Sequence, residues 1–169
     1  MSLIIFSVII TIWRNLLMAE ITRHFTATTF VVCQDKVLLH LHKKLGIWLP
    51  AGGHIDRDEL PEVAARREVL EETGLTVQLF QPEALIDFGD DEAIELHRPV
   101  HLLLENINPF HQHIDFIYYA QTDSFQLNPG AGEANSFRWF SQEELANNNL
   151  PMPGNVKALA AEALMILGM

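Results

Sequence analysis

The chain has 169 residues, 49% of them hydrophobic and 20% charged, enough for one globular domain with its own core. A net charge of −11 excludes a surface built to hold duplex DNA or RNA, because proteins of that class present basic patches. A small anionic substrate remains compatible, since a bound metal ion inverts the local field.

Residues 1–17, MSLIIFSVIITIWRNLL, differ in composition from the rest. Leu3 to Trp13 is almost wholly apolar but too short to span a bilayer comfortably. It departs from a signal peptide, because no basic residue precedes it and no clear small-residue cleavage site follows. Its β-branched isoleucines would suit a strand. Two readings stand. Translation begins at Met18 and the leader is an artefact of the assigned start, or the leader packs on the domain or on a second copy, giving a homodimer. Residence in the cytoplasm, with no membrane partner, is expected either way. Residues 18–169 read as a single domain without repeats.

Phe25 to Cys33 reads as a strand rich in Thr, Val and Phe. Cys33 is the only cysteine, which excludes an intrachain disulfide and a multi-cysteine zinc site. Its apolar neighbours suggest a buried, inert thiol. After a turn at Gln34 to Lys36, Val37 to His42 makes a hairpin partner. His40 and His42 share a face there, expected to be solvated. Ile47 to Pro50 is a short strand delivering a loop, Pro50 to His54. The paired glycines Gly52 and Gly53 permit a close approach of backbone to ligand.

Gly53 to Leu75, GHIDRDELPEVAARREVLEETGL, organises the chain. Pro61 suits the first turn of a helix and Gly74 the position past its last turn. Glu68, Glu71 and Glu72 stand at i, i+3 and i+4 and share one face. Like charges so spaced repel, and a hard divalent cation would offset the repulsion. Arg67 lies beside that face and could brace one carboxylate. Val63 and Leu70 project roughly opposite the acidic trio and are expected to face the core. Taken alone, three glutamates on a helix favour a solvated acidic face.

This stretch resembles a Nudix box, whose pattern is G, five residues, E, seven residues, then R-E-U-x-E-E-x-G-U with U aliphatic. Gly53, Glu59, Arg67, Glu68, Val69, Glu71, Glu72, Gly74 and Leu75 fill every defined position. With these in register, a metal-holding role outweighs the solvated face. The resemblance implies an α/β fold, a Nudix-like α/β/α sandwich with a mixed β-sheet. It implies a hydrolase cleaving the diphosphate linkage of a nucleoside diphosphate joined to another group, such as a nucleoside triphosphate or nucleotide sugar. It implies Mg²⁺ or Mn²⁺ held by Glu68, Glu71 and Glu72, with Arg67 and Glu59 orienting the cluster and Gly52 and Gly53 beside the substrate. The rival reading is a non-catalytic Nudix-like sensor that binds a nucleotide without cleaving it.

Beyond the box, Thr76 to Phe80 reads as a strand, Ala84 to Phe88 as extended chain, and Gly89 to Glu92 as a solvated acidic turn. Pro99 to Glu105 is a further strand. His111, His113 and Asp115 then alternate, so a strand projects them from one face. Their chemistry suits gripping a polar substrate, a transition metal, or a hydrogen-bonded row at a sheet margin. Asn128 to Glu133 is a Gly-rich loop before the aromatic strand Phe137 to Phe140. The Nudix resemblance makes Glu133 a candidate general base or extra metal ligand. Ser141 and Glu144 form a capping box for a helix to about Ala146. Asn155 is expected to cap a last helix, Val156 to Leu167, that turns Leu159, Ala163 and Ile166 inward.

Overall fold

The computed structural model describes residues 20–89, 92–134, 136–147 and 149–168. The apolar leader and the Asp90–Asp91 pair of the acidic turn lie outside the described residues. The strands are β1 (Thr22–Cys33), β2 (Lys36–Leu41), β3 (Trp48–Leu49), β4 (Ala51–His54), β5 (Gln78–Leu79), β6 (His101–Asn108), β7 (His111–Gln121) and β8 (Phe137–Ser141). The helices are α1 (Pro61–Thr73), α2 (Gln142–Asn147) and α3 (Gly154–Leu167).

One mixed sheet carries these strands. Its main path runs β3-β2-β1-β7-β5, with β4 on β1, β6 on β7 and β8 on β2. β1 and β7 pair in parallel from Thr22 opposite His111 to Val32 opposite Gln121. The other pairings are antiparallel. From Thr26 to Cys33 β1 is covered on both faces, as the central strand of a covered sheet must be, while its first four residues are exposed. Phe30 and Val32 pack with Tyr119, Val156, Ala160 and Ala163 under α3. On the other face Ala27 packs with Ala64, Ala65 and Tyr118 under α1. The result is the expected α/β/α sandwich. Among the described residues, no helix is long and apolar enough to cross a membrane.

Several local expectations hold. Pro61 opens α1, and Gly74 closes it in the left-handed conformation at φ 74°. Ser141 and Glu144 exchange backbone-to-side-chain hydrogen bonds at 2.9 and 3.3 Å, completing the capping box. Cys33 is a buried free thiol.

Others are corrected. Val63 and Leu70 are 47% and 53% exposed, while Ala64, Ala65, Val69 and Thr73 are buried. The helix turns Ala64, Ala65, Val69 and Thr73, with Glu68 and Glu72, toward the sheet, so Val63 and Leu70 face water. Alanines permit an approach that leucines would hold off. His40 is buried, not solvated, because β8 and the chain around Pro50 close over β2. The expected glycine loop is the strand β4, paired with Thr26 to Thr29. Asn155 lies inside the first turn of α3. Pro153 occupies the N-cap, and the Asn155 amide instead donates to Glu105 at 3.2 Å. Ile166 is 39% exposed, and Leu164 and Leu167 take the inward positions with Leu159 and Ala163.

The reversed orientation of α1 is testable by urea unfolding. Val63→Gln and Leu70→Gln should each change stability by less than about 0.5 kcal/mol. Val69→Ala, at a fully buried position, should cost about 2 kcal/mol.

Candidate active site

Arg67 lies at the centre of the acidic face of α1. Its Nε and Nη2 donate to the two oxygens of Glu59 at 2.8 and 2.9 Å. Its Nη1 donates to Glu68 at 2.8 Å and to Glu71 at 3.1 Å. Nη2 also donates to the His54 carbonyl at 3.0 Å. All five guanidinium N–H groups are thereby used. The Glu59 carboxyl is held below the ordinary carboxylate range, chiefly by the hydrogen bond from Arg67. The same carboxylates push the Arg67 pKa further up.

Glu68 sits against Gly53. A Cβ on Gly53 would run into the Glu68 carboxylate. That contact explains why glycine stands here, on a strand that needs no unusual backbone angle.

Glu72 lies in the last turn of α1 on its sheet-facing side and is half-buried. Its Oε2 accepts a hydrogen bond from the Gly52 N–H at 3.2 Å. Burial, followed by the charges of Glu68, Glu133 and Glu71, pushes its pKa up to about 8, against the opposing Gly52 bond. Glu133 reaches this site because its loop is tied to the end of α1. Gly130 N–H donates to the Glu71 carbonyl at 2.8 Å, and Asn128 N–H to the Thr73 carbonyl at 2.9 Å.

A cavity of about 180 Å³ opens beside Glu72, between the sheet and α3. Its polar wall includes Thr28, His40, Gly52, Glu72, Glu105 and Asp115. Asp115 is buried and accepts hydrogen bonds from Thr26 and Thr28 at 2.9 and 2.8 Å. Burial raises the Asp115 pKa against those two bonds. Burial also raises Glu105, followed by the charge of Asp115. His40 is pushed down to about 4, mainly by burial, so its ring is neutral at pH 7.

The histidine row divides. Asp115 lines the cavity, while His111 and His113 lie farther along β7 beside His24 and His54. His24, His40, His54 and Glu105 were not among the candidate site residues. Their sequence signal is weak, because each reaches its neighbours through pairing between separate strands, as His24 lies opposite His113 and His40 opposite Phe137.

The carboxylates fit a hard divalent cation. Glu68, Glu71 and Glu72 each keep one side-chain oxygen without a hydrogen-bond partner among the described residues. Burial and then the neighbouring carboxylates raise the Glu72 pKa, and among the described residues no Lys, Arg or His forms an ion pair with it. Mg²⁺ retains several waters and takes few protein carboxylates, so a loosely spaced set suits it.

The described geometry belongs to a recognised family. A NUDIX domain model matches residues 22–160. The chain therefore belongs to the NUDIX hydrolase family. Its fold superposes on a NUDIX-family hydrolase from Clostridium perfringens with a TM-score of 0.77 and 45% identity, covering 87% of this chain and 99% of that one. It also resembles the NUDIX domain of NrtR from Shewanella oneidensis in complex with ADP ribose. There the TM-score is 0.62 and the identity 18%, covering 88% and 91% of the two chains, a likeness of fold alone. An oxidized purine nucleoside triphosphate hydrolase from Danio rerio is 37% identical over 82 residues. That match takes in 45% of this chain and 53% of the relative, so the chain spans about half the length of that curated protein.

Two outcomes test the site without substrate. Arg67→Ala strands Glu59, Glu68 and Glu71 together and should cost about 2–3 kcal/mol in chemical unfolding, with Arg67→Lys recovering only part. The second concerns pH. Glu72 titrates near 4.5 when unfolded and about 8 when folded. Between those values the folded state holds a proton that the unfolded chain has lost. Stability of the metal-free protein from this group is therefore full below 4.5 and falls as pH rises to 8. Metal-free Glu72→Gln should melt several degrees above wild type at pH 8, and the gap should close by pH 5.

Proposed function

We propose that the chain hydrolyses the diphosphate linkage of a nucleoside triphosphate or a related nucleotide diphosphate, with Mg²⁺ or Mn²⁺ as cofactor. One observation carries this reading. Glu72 belongs to the box carboxylates and also forms a wall of the cavity. A substrate lying in the cavity would bring its phosphates to the acidic face of α1.

Glu68, Glu71 and Glu72 would hold the metal. When bound, such an ion neutralises charge on phosphoryl oxygens and lowers the pKa of coordinated water. Arg67 is a positioning residue, since its five bonds leave no N–H for substrate while fixing Glu68 and Glu71. Gly52 orients Glu72 through its amide, and Gly53 admits Glu68. Glu133 is a candidate for the proton acceptor, within electrostatic reach of Glu72.

Asp115 would set specificity in the cavity. Thr26 and Thr28 hold its carboxylate oxygens in place, and neighbouring Asn155 and Glu105 add a donor and acceptors. That wall suits the polar edge of a nucleobase more than a bare phosphate, because its carboxyls would repel an anion. The relative from Danio rerio is named for oxidized purine nucleoside triphosphates. That class therefore comes first in a substrate panel, followed by nucleotide sugars and dinucleoside diphosphates.

Wild type and Glu72→Gln should be run with Mg²⁺ across this panel. Cleavage of one class by wild type, lowered at least 100-fold in Glu72→Gln, is the expected result. Full activity in the variant would overturn the assignment. Ligand-induced thermal stabilisation without turnover in wild type would favour the sensor reading instead. Asp115→Asn should change preference between bases more than it changes the reaction of a shared diphosphate group.

A further inference from the structure

Four imidazoles meet on the α3-facing side of the sheet, beyond Asp115. Strand register brings them there. His54 on β4 pairs opposite Thr26, two residues along β1 from His24 and on the same face. His113 pairs opposite His24, and His111 opposite Thr22, on the parallel strand β7. His24 Nδ1 and His54 Nε2 are 3.1 Å apart, and the Nε2 atoms of His111 and His113 are 3.0 Å apart. The rings of His24 and His111 meet edge-on at 4.7 Å, and those of His54 and His113 at 5.1 Å.

We propose that this cluster is a second metal site, binding one transition-metal dication of the Zn²⁺ class separately from the box carboxylates. The nearest ligand atoms of His24, His54 and His111 all lie within 4.8 Å of one another, the one such group of three among the described residues. Tetrahedral coordination with Zn–N near 2.0–2.1 Å sets ligand nitrogens about 3.3 Å apart. Two pairs already stand close to that spacing. The rest requires small ring movements, and His24 and His54 are exposed enough to make them. His113, beside His111, is placed to be the fourth ligand.

The chemistry selects the ion. Imidazole nitrogen favours Zn²⁺, Cu²⁺ or Ni²⁺ over Mg²⁺, which takes oxygen. The plain alternative is a row of protonated histidines in salt bridges. No carboxylate is hydrogen-bonded to any of these four rings among the described residues. Three strands fix the four backbones, so the site is pre-formed where a loop site would have to be ordered. The His54 carbonyl also accepts from Arg67, which ties the cluster to the box helix. None of this rests on the hydrolase reading.

Co²⁺ and Zn²⁺ titrations in excess Mg²⁺ test it. Wild type should take up one Co²⁺ per chain with visible ligand-field absorption. A Glu68→Gln, Glu72→Gln double variant should retain that uptake. His24→Ala and His54→Ala should each weaken it at least tenfold with the circular dichroism spectrum unchanged. Stoichiometric Zn²⁺ should also shift the ¹⁵N imidazole resonances of the four histidines in wild type, a result that needs no variant. Uptake lost in the carboxylate variant and kept in the histidine variants would overturn the proposal. So would imidazole resonances unmoved by stoichiometric Zn²⁺.

Discussion

One guanidinium holds the acidic face together. Arg67 spends all five donors on Glu59, Glu68, Glu71 and the carbonyl of His54. Without it, three carboxylates on adjacent turns and loop would lie together with nothing to offset their repulsion. With it, Glu68 and Glu71 are presented in fixed positions, and α1 is pinned to the end of β4. The planar fork of arginine makes this possible, and a lysine could not reach so many acceptors in one plane.

Glu72 stands outside that arrangement, and its environment follows from the exclusion. It points into the space between helix and sheet, where one backbone amide is its only hydrogen-bond donor among the described residues. Burial and three neighbouring carboxylates then raise its affinity for a proton. A site of this kind gains most from a divalent cation, because the ion takes the place of the proton and neutralises the neighbours as well. On the function proposed above, the fold keeps an unfavourable carboxylate where a cation and a polyphosphate would meet.

The same sheet face presents two chemistries in sequence along β1 and β7. The Thr28–Asp115 wall is oxygen-rich and lies over the cavity. The His24–His113 end is nitrogen-rich and lies nearer solvent. Parallel pairing of β1 with β7 is responsible for both, since it sets Thr26 opposite Asp115 and His24 opposite His113.

The Nudix resemblance implied the mixed α/β class, and the sequence by itself determined the box, its helix ends and the role of Arg67 as a brace. These depend on contacts within a short stretch, where spacing translates directly into position. It misled on Val63 and Leu70, because amphipathic reasoning assumes that charge faces water, and here Glu68 and Glu72 face the sheet. It also misplaced His40 and the glycine strand, whose burial depends on β8 and β1 arriving from distant parts of the chain. Only the tertiary structure decided that Glu72 opens on a cavity, that Asp115 leaves the histidine row, and that His24 and His54 join it. The placements of Asp115, His24 and His54 rest on strand register between segments 30 to 89 residues apart, as in His24 with His54 and Thr26 with Asp115. Local periodicity carries no information about that register.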